Sequence, residues 1–294
     1  MISICTKIVR ICVDNGHKFL GLPAVKPRVW IDLSSAASKR SGLVMHSPGR
    51  KILRLAVKVL GWFAWLPIER IVRGPIKHFD ELDGSEAIEK VVDDLTAKNA
   101  KKIEWMALYM GNDSVKTKLT VLVCLGRAER VDRVENVGDN LGHEISAQAT
   151  ISTRSIRSTR LKPTCVIVKL GKSPEAAGAI KNEVAVLKRL ENTKLAGQIP
   201  RVIGDIGHDG IWTWSVQSVL PKGSSPVRMQ KEHYDFLEAL KEAGLSHGDF
   251  APWNCSIVDG KLYVWDWEDA GSWVEGKDEF WFKKQVKGLL GIDA

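Results

Sequence analysis

The sequence predicts an α+β chain in which an antiparallel sheet is followed by a short helix-rich stretch carrying a polar loop and a hairpin. Three observations carry this. Between Ile103 and Leu220 the apolar residues come in short runs, alternating in part, broken by Gly, Asn, Asp, Ser and Pro, as half-buried strands require. In Glu175–Leu190 and Lys277–Leu290 the apolar residues recur at helical spacing instead. Finally, Asp259-Gly260 lies between the short apolar runs Cys255–Val258 and Lys261–Trp265. A tight turn there needs positive φ, which Gly adopts without steric cost.

Composition bounds the function before any motif does. The 294 residues are 44% hydrophobic and 27% charged, ordinary for a globular protein with a full core. A net charge of +8 favours anionic partners such as nucleotide phosphates, a membrane surface or nucleic acid, without choosing among them. No nucleic-acid motif is present, so no nucleic-acid partner is expected. The five cysteines, at 5, 12, 124, 165 and 255, are odd in number and contain no Cys-x-x-Cys pair. They indicate neither a disulfide framework nor a zinc site, and are expected as small buried hydrophobes. Lys7, Arg10, Asp14 and Lys18 break the apolar core that a signal peptide would need, making a reducing cytoplasm the default location.

In chain order, residues 1–50 show no motif and are punctuated by Pro23, Pro27, Gly42, Pro48 and Gly49. Residues 50–73 set Ile52, Leu55, Val59, Leu60 and Phe63 on one helical face and Arg50, Lys51, Arg54 and Lys58 on the other. The apolar run Val59–Ile68 is too short to span a bilayer. Two readings stand: peripheral membrane contact, or a helix packed on the fold with its basic stems along the edge, the second being the default. Ser85–Lys98 is a helix, capped by Ser85, with an apolar stripe of Ile88, Val91, Val92 and Leu95.

Strands follow at Ile103–Met110 and Lys116–Leu125, around Gly111-Asn112-Asp113-Ser114. That turn suits a loop whose N–H groups cover an anion, and suits a plain hairpin equally. Residues 126–163 are an Arg- and Ser-rich insert, either a basic flap or a solvated loop. Thr164–Leu170 is a strand with Lys169 near its end. Ser173-Pro174 then opens the helix Glu175–Leu190, with Glu183 beside its apolar face. Strands at Ile199–Ile203 and Ile211–Leu220 precede a helix of roughly Met229–Ala243, ended by Gly244.

The chemistry gathers after Gly244. A hairpin from Cys255 to Trp265 returns the chain on itself, so Asn254 and Asp266, at its two ends, lie close together, with Asp249 just upstream. An Asp and an Asn supply the few hard oxygen ligands that Mg²⁺ takes from a protein alongside phosphate and water. A separate carboxylate, Asp249, can accept the proton of an attacking hydroxyl.

His247-Gly248-Asp249, with Asn254 five residues after the aspartate, resembles the catalytic loop of the protein-kinase-like superfamily. Asp266-Trp267-Glu268 resembles its metal-binding aspartate motif. Gly after His, Phe after Asp, and Pro252-Trp253-Asn254 are closer to aminoglycoside phosphotransferases, choline kinases and bacterial lipopolysaccharide kinases than to eukaryotic protein kinases. The resemblance implies a bilobal fold: a basic, mainly helical region over 1–100, an antiparallel-sheet lobe over 101–216 with the insert 126–163, and a short helical lobe over 217–294. It implies ATP and Mg²⁺ as cofactors, Asp249 as base, and Asn254 and Asp266 as metal ligands. It further implies Lys169 held by Glu183 against the phosphates, Gly111 in the phosphate-covering loop, and Gln217 opening a link that offers backbone groups to the adenine. The expected reaction is phosphorylation of a hydroxyl on a small molecule or glycan, with a bacterial surface-polysaccharide or lipopolysaccharide sugar as one acceptor. An atypical serine/threonine protein kinase and a nucleotide-binding module without turnover are the alternatives. Asp278-Glu279-Phe280-Trp281-Phe282 resembles the Asp-plus-aromatics segment after the metal motif in aminoglycoside-type kinases, beyond which those families carry further acceptor-binding helices.

Overall fold

The structure is a computed structural model and describes residues 18–22, 29–33, 39, 76–78, 82, 84–99, 101–110, 118–127, 164–223 and 225–290. Gly111, the segment 50–73 and nearly all of the insert 126–163 lie outside the described residues.

One antiparallel sheet of eight strands forms the larger part. In chain order the strands are β1 (Lys18–Leu22), β2 (Val29–Asp32), β3 (Ile76–His78), β4 (Lys101–Met110), β5 (Lys118–Arg127), β6 (Thr164–Gly171), β7 (Gly207–His208) and β8 (Thr213–Ser218). Their spatial order is β3-β1-β2-β4-β5-β6-β8-β7. Strand β6 is therefore paired on both sides, by β5 and by β8.

Alternation divides this sheet into two faces. Leu119, Val121, Val123 and Leu125 of β5, with Val166, Val168 and Leu170 of β6, bury one face under helix α1 (Ser85–Asn99). Ile88, Val91, Val92 and Leu95 supply the helix side of that core, the stripe its sequence spacing predicts. The other face presents the register row Thr120, Lys169 and Ser215. The apolar pattern thus leaves Lys169 no place on the covered face.

Most of the basic, mainly helical region expected over 1–100 lies outside the described residues. Its described part contributes helix α1 and also β1, β2 and β3 to the same sheet. These strands are three to five residues long and flanked by Pro and Gly, too short for a period to register in the sequence. Residues 199–203 likewise make a single bridge, Val202 with Gln217, rather than a strand.

Helix α2 (Pro174–Leu190) is capped by Ser173, whose hydroxyl accepts the Ala176 N–H at 3.1 Å, with Pro174 in the first turn. Its C-terminal half joins a second core. There Val186, Leu187 and Leu190 meet Phe236 and Leu240 of α3 (Lys231–Glu242), Phe282 of α4 (Lys277–Leu290), Phe250 and Trp267. Strands β9 (Leu245–Ser246) and β12 (Gly271–Ser272) pair beside it, as do β10 (Cys255–Val258) and β11 (Lys261–Val264). Asp259 at φ 50° and Gly260 at φ 71° make the tight β10–β11 turn with the positive φ that the Asp-Gly signal requires. No described helix is long and apolar enough to cross a membrane.

One finding departs from the expectation of unpaired cysteines: Cys124 and Cys165, directly opposed on β5 and β6, form a disulfide, while Cys255 is free and buried. Their spacing across the insert hides the pairing, because only strand register makes them neighbours. Thiol labelling of the denatured chain is expected to rise by two cysteines on reduction, with the new label on Cys124 and Cys165; no rise would contradict the bridge. Phe236, which stacks on Phe250 and packs on Trp267, is expected to cost about 3–5 kcal/mol of unfolding free energy as Phe236→Ala, read by urea denaturation.

Candidate active site

The site forms where β6, α2, the loop after β9 and the end of β11 meet. From β6, Lys169 extends its Nζ to Glu183 Oε1 on α2 at 2.7 Å and to Asp266 Oδ1 beyond β11 at 2.8 Å. Glu183 is fully buried, and the same Oε1 also accepts the Trp267 N–H at 3.1 Å. A buried ammonium is tolerated only with such partners. Burial opposes the Lys169 charge, but Asp266 and then Glu183 outweigh it and raise its pKa above the ordinary lysine value. Burial likewise opposes the Asp266 carboxylate, but Lys169 and Lys118 outweigh it and hold its pKa well below the usual range. The stabilisation Asp266 brings is therefore complete at neutral pH and drains as pH falls below the ordinary carboxylate range.

Asp266 itself adopts φ 69°, a conformation uncommon for a residue with a Cβ. The turn out of β11 that aims its carboxylate at Lys169 is held at both flanks. Trp265 donates its N–H to Asn254 O at 3.1 Å, and Trp267 donates to Glu183.

The loop Ser246–Asn254 is fixed as tightly. Asp278 of α4, 2% exposed, accepts the His247 N–H at 2.7 Å on Oδ2 and the Gly248 N–H at 3.0 Å on Oδ1. Gly248 takes φ 86°, and a Cβ there would stand 2.0 Å from Asp269 O. His247 is buried, and desolvation lowers its pKa, so the ring is neutral at pH 7. Its Nε2 lies 3.1 Å from Trp265 O, a group that only accepts, which assigns the proton to Nε2. His247 thus braces the loop against the turn carrying Asp266.

Pro252–Asn254 forms one turn of 3₁₀ helix, with Pro252 supplying the fixed φ at its start. This turn brings Asn254 Nδ2 to Asp249 Oδ2 at 2.9 Å and to Asp249 O at 3.0 Å. Trp281 Nε1 donates to the other carboxylate oxygen, Oδ1, at 2.6 Å. Burial raises the Asp249 pKa, while Trp281 works against the rise.

Two groups of predicted residues are therefore brought together: Lys169, Glu183 and Asp266 in one ionic cluster, and Asp249 with Asn254 in one hydrogen-bonded pair. Trp265, next to Asp266, connects them through Asn254 and His247. Gln217 sits within β8 rather than in a link, buried on the Lys169 face of the sheet two residues from Ser215, and its Nε2 has no hydrogen-bond partner among the described residues. Gly111 lies outside the described residues. The segment Asp278–Phe282 stood out in the sequence, but not that Asp278 would hold the His247 and Gly248 N–H groups or that Trp281 would donate to Asp249. Sequence reading missed the pair Lys118–Glu268, which only strand register and the turn after β11 bring together.

Asn254 and Asp266 each leave one side-chain oxygen without a partner among the described residues. With Nδ2 committed to Asp249, the Asn254 Oδ1 has no partner among the described residues, and Lys169 takes only Oδ1 of Asp266. No group of three or more His, Cys, Asp or Glu suited to a metal occurs among the described residues.

No protein-family model and no curated protein sequence matches the chain. Among solved structures, WbdD in complex with a kinase inhibitor is 18% identical, with 36% of this chain and 29% of that chain covered and a TM-score of 0.30. The bifunctional kinase-methyltransferase WbdD is 17% identical, over 37% of this chain and 29% of that one, with a TM-score of 0.30. The kinase PK-1 of the Cydia pomonella granulovirus is 12% identical over 64% of this chain and 60% of that chain, with a TM-score of 0.35. The matched parts span less than two thirds of those chains, and likenesses this slight decide nothing about function. The geometry has its own check. Gly248→Ala, forcing a Cβ into a backbone carbonyl at positive φ, is expected to lower unfolding free energy by at least about 2 kcal/mol. Wild-type stability in that variant would mean that the loop runs elsewhere.

Proposed function

We propose that the chain is an ATP- and Mg²⁺-dependent phosphotransferase acting on an alcohol, with a small molecule or glycan as acceptor. The observation that carries this reading is the convergence of Lys169, Glu183 and Asp266 beside the Asp249–Asn254 pair.

In this reading Lys169 binds the nucleotide's phosphates, and Glu183 keeps it extended toward the cleft. Asp249 accepts the proton of the acceptor hydroxyl as its oxygen bonds to the γ-phosphorus and the bond from that phosphorus to the β–γ bridging oxygen breaks. Asn254 and Trp281 grip the two oxygens of Asp249 and fix the plane in which it meets the hydroxyl. Asp266 and Asn254 are suited to hold Mg²⁺, which when bound would offset the charge of the triphosphate. The fit is chemical: both carry an oxygen without a partner among the described residues. The local balance favours a cation too, since the carboxylates Glu183, Asp266 and Glu268 outnumber Lys118 and Lys169 there.

The test is transfer from γ-labelled ATP to panels of sugars, lipid-linked glycans and proteins. Asp249→Asn is expected to lower the rate by about 10²–10⁴-fold while leaving ATP binding in place. Chelating Mg²⁺ is expected to stop turnover and adding it back to restore it. Undiminished transfer in Asp249→Asn would sink the assignment of the base. Label appearing on protein rather than on sugar would redirect the acceptor to a serine or threonine.

A further inference from the structure

Strand β5 brings a second lysine to the side of the sheet that carries Lys169. Lys118 opens the strand opposite Gly171, and Thr120, two residues on, lies opposite Lys169. Cross-strand partners and alternate residues share a face, so Lys118 points to the same side of the sheet as Lys169. Two ammonium groups on neighbouring strands repel each other, and sheets ordinarily avoid the arrangement. Burial and then Lys169 pull the Lys118 pKa below its ordinary value, while Asp266, Glu183 and Asp269 act to raise it. The pair survives because Lys118 forms an ion pair with Glu268, two residues beyond Asp266.

That ion pair is built differently from the one at Lys169. Glu183 is fully buried, whereas the Lys118 and Glu268 side chains keep 12% and 18% exposure, so this carboxylate is less completely enclosed than the one that holds Lys169. Asn182 Nδ2 donates to Glu268 O at 2.9 Å and to Ala270 O at 3.0 Å. The Glu268 backbone is therefore pinned by α2, and the contacts that hold its side chain include the Lys118 ammonium.

We propose that Lys118 is a second phosphate-binding lysine of this cleft and that Glu268 neutralises it until a polyphosphate displaces the carboxylate. The proposal rests on the phosphotransferase reading and adds a residue and an exchange to it. A carboxylate offers Lys118 one negative charge, whereas a polyphosphate offers several charges and several acceptor oxygens that both lysines share, and this difference drives the exchange. It also explains why like charges are tolerated side by side: both lysines serve one polyanion. The ligand class is a nucleoside triphosphate, recognised by its phosphates.

Equilibrium titration of the full chain with Mg–ATP and with adenosine tests this without turnover. Lys118→Gln is expected to weaken ATP about tenfold and to leave adenosine unchanged, with Lys118→Arg keeping most of the ATP affinity. Glu268→Gln is expected to tighten ATP, and to have no such effect in the Lys118→Gln background. A merely structural ion pair would lower the melting temperature of both single variants and leave the ratio of ATP to adenosine affinity unaltered, which overturns the proposal. Lys169→Met separates the two claims. If it abolishes ATP binding while Lys118→Gln does not weaken it, the Lys118 assignment alone falls. If wild type binds no ATP, or if neither lysine variant weakens it, the phosphotransferase reading falls and takes the proposal with it.

Discussion

A single buried cation organises the site. Lys169 stands on β6, a strand paired on both sides, and its charge is balanced by one carboxylate from α2 and one from the turn after β11. Three segments remote in sequence must be in place together for that ammonium to be tolerated away from water. Removing one partner from such a cluster typically costs about 3–5 kcal/mol, because a charge is left behind unpaired. The cluster is a weak source of stability compared with apolar packing. Its effect is on arrangement: it fixes how α2 and the Asp266 turn stand relative to the sheet.

Around this cation the backbone is held by side chains that do no chemistry themselves. Asp278 takes two successive N–H groups of the loop, so His247 and Gly248 are set from below by α4. His247 is tied to Trp265, and Trp265 to Asn254. The aromatic packing of Phe236, Phe250, Trp267 and Phe282 excludes water from these hydrogen bonds. In that dry setting each bond is stronger and each vacancy more costly. Positive φ at Gly248 and Asp266 is retained because these surroundings over-determine it.

The electrostatics have two layers. The inner one, Lys169 with Glu183, is sealed, and its partners are fixed by the fold. The outer one, Lys118 with Glu268, is mostly but not wholly buried, and one oxygen of Asp266 is left without a partner among the described residues. The two layers alternate in sign across neighbouring strands and the turn after β11, so each lysine has its own carboxylate.

The sequence by itself determined the local elements and the chemistry-bearing loop. Leu119–Leu125 alternates because one face of β5 is covered, Asp259-Gly260 turns because Gly accepts positive φ, and Ser173-Pro174 starts a helix because the hydroxyl caps it. The hairpin implied that Asn254 and Asp266 approach each other, and they are joined through Trp265. What only tertiary structure decided is every pairing between distant segments. These are the strands β1 to β3 joining the main sheet, Cys124 meeting Cys165, Asp278 reaching under the loop, Trp281 donating to Asp249, and Lys118 standing beside Lys169. Local periodicity reports which side of an element is buried, but register and packing decide which residue it meets there, and those are properties of the whole chain at once.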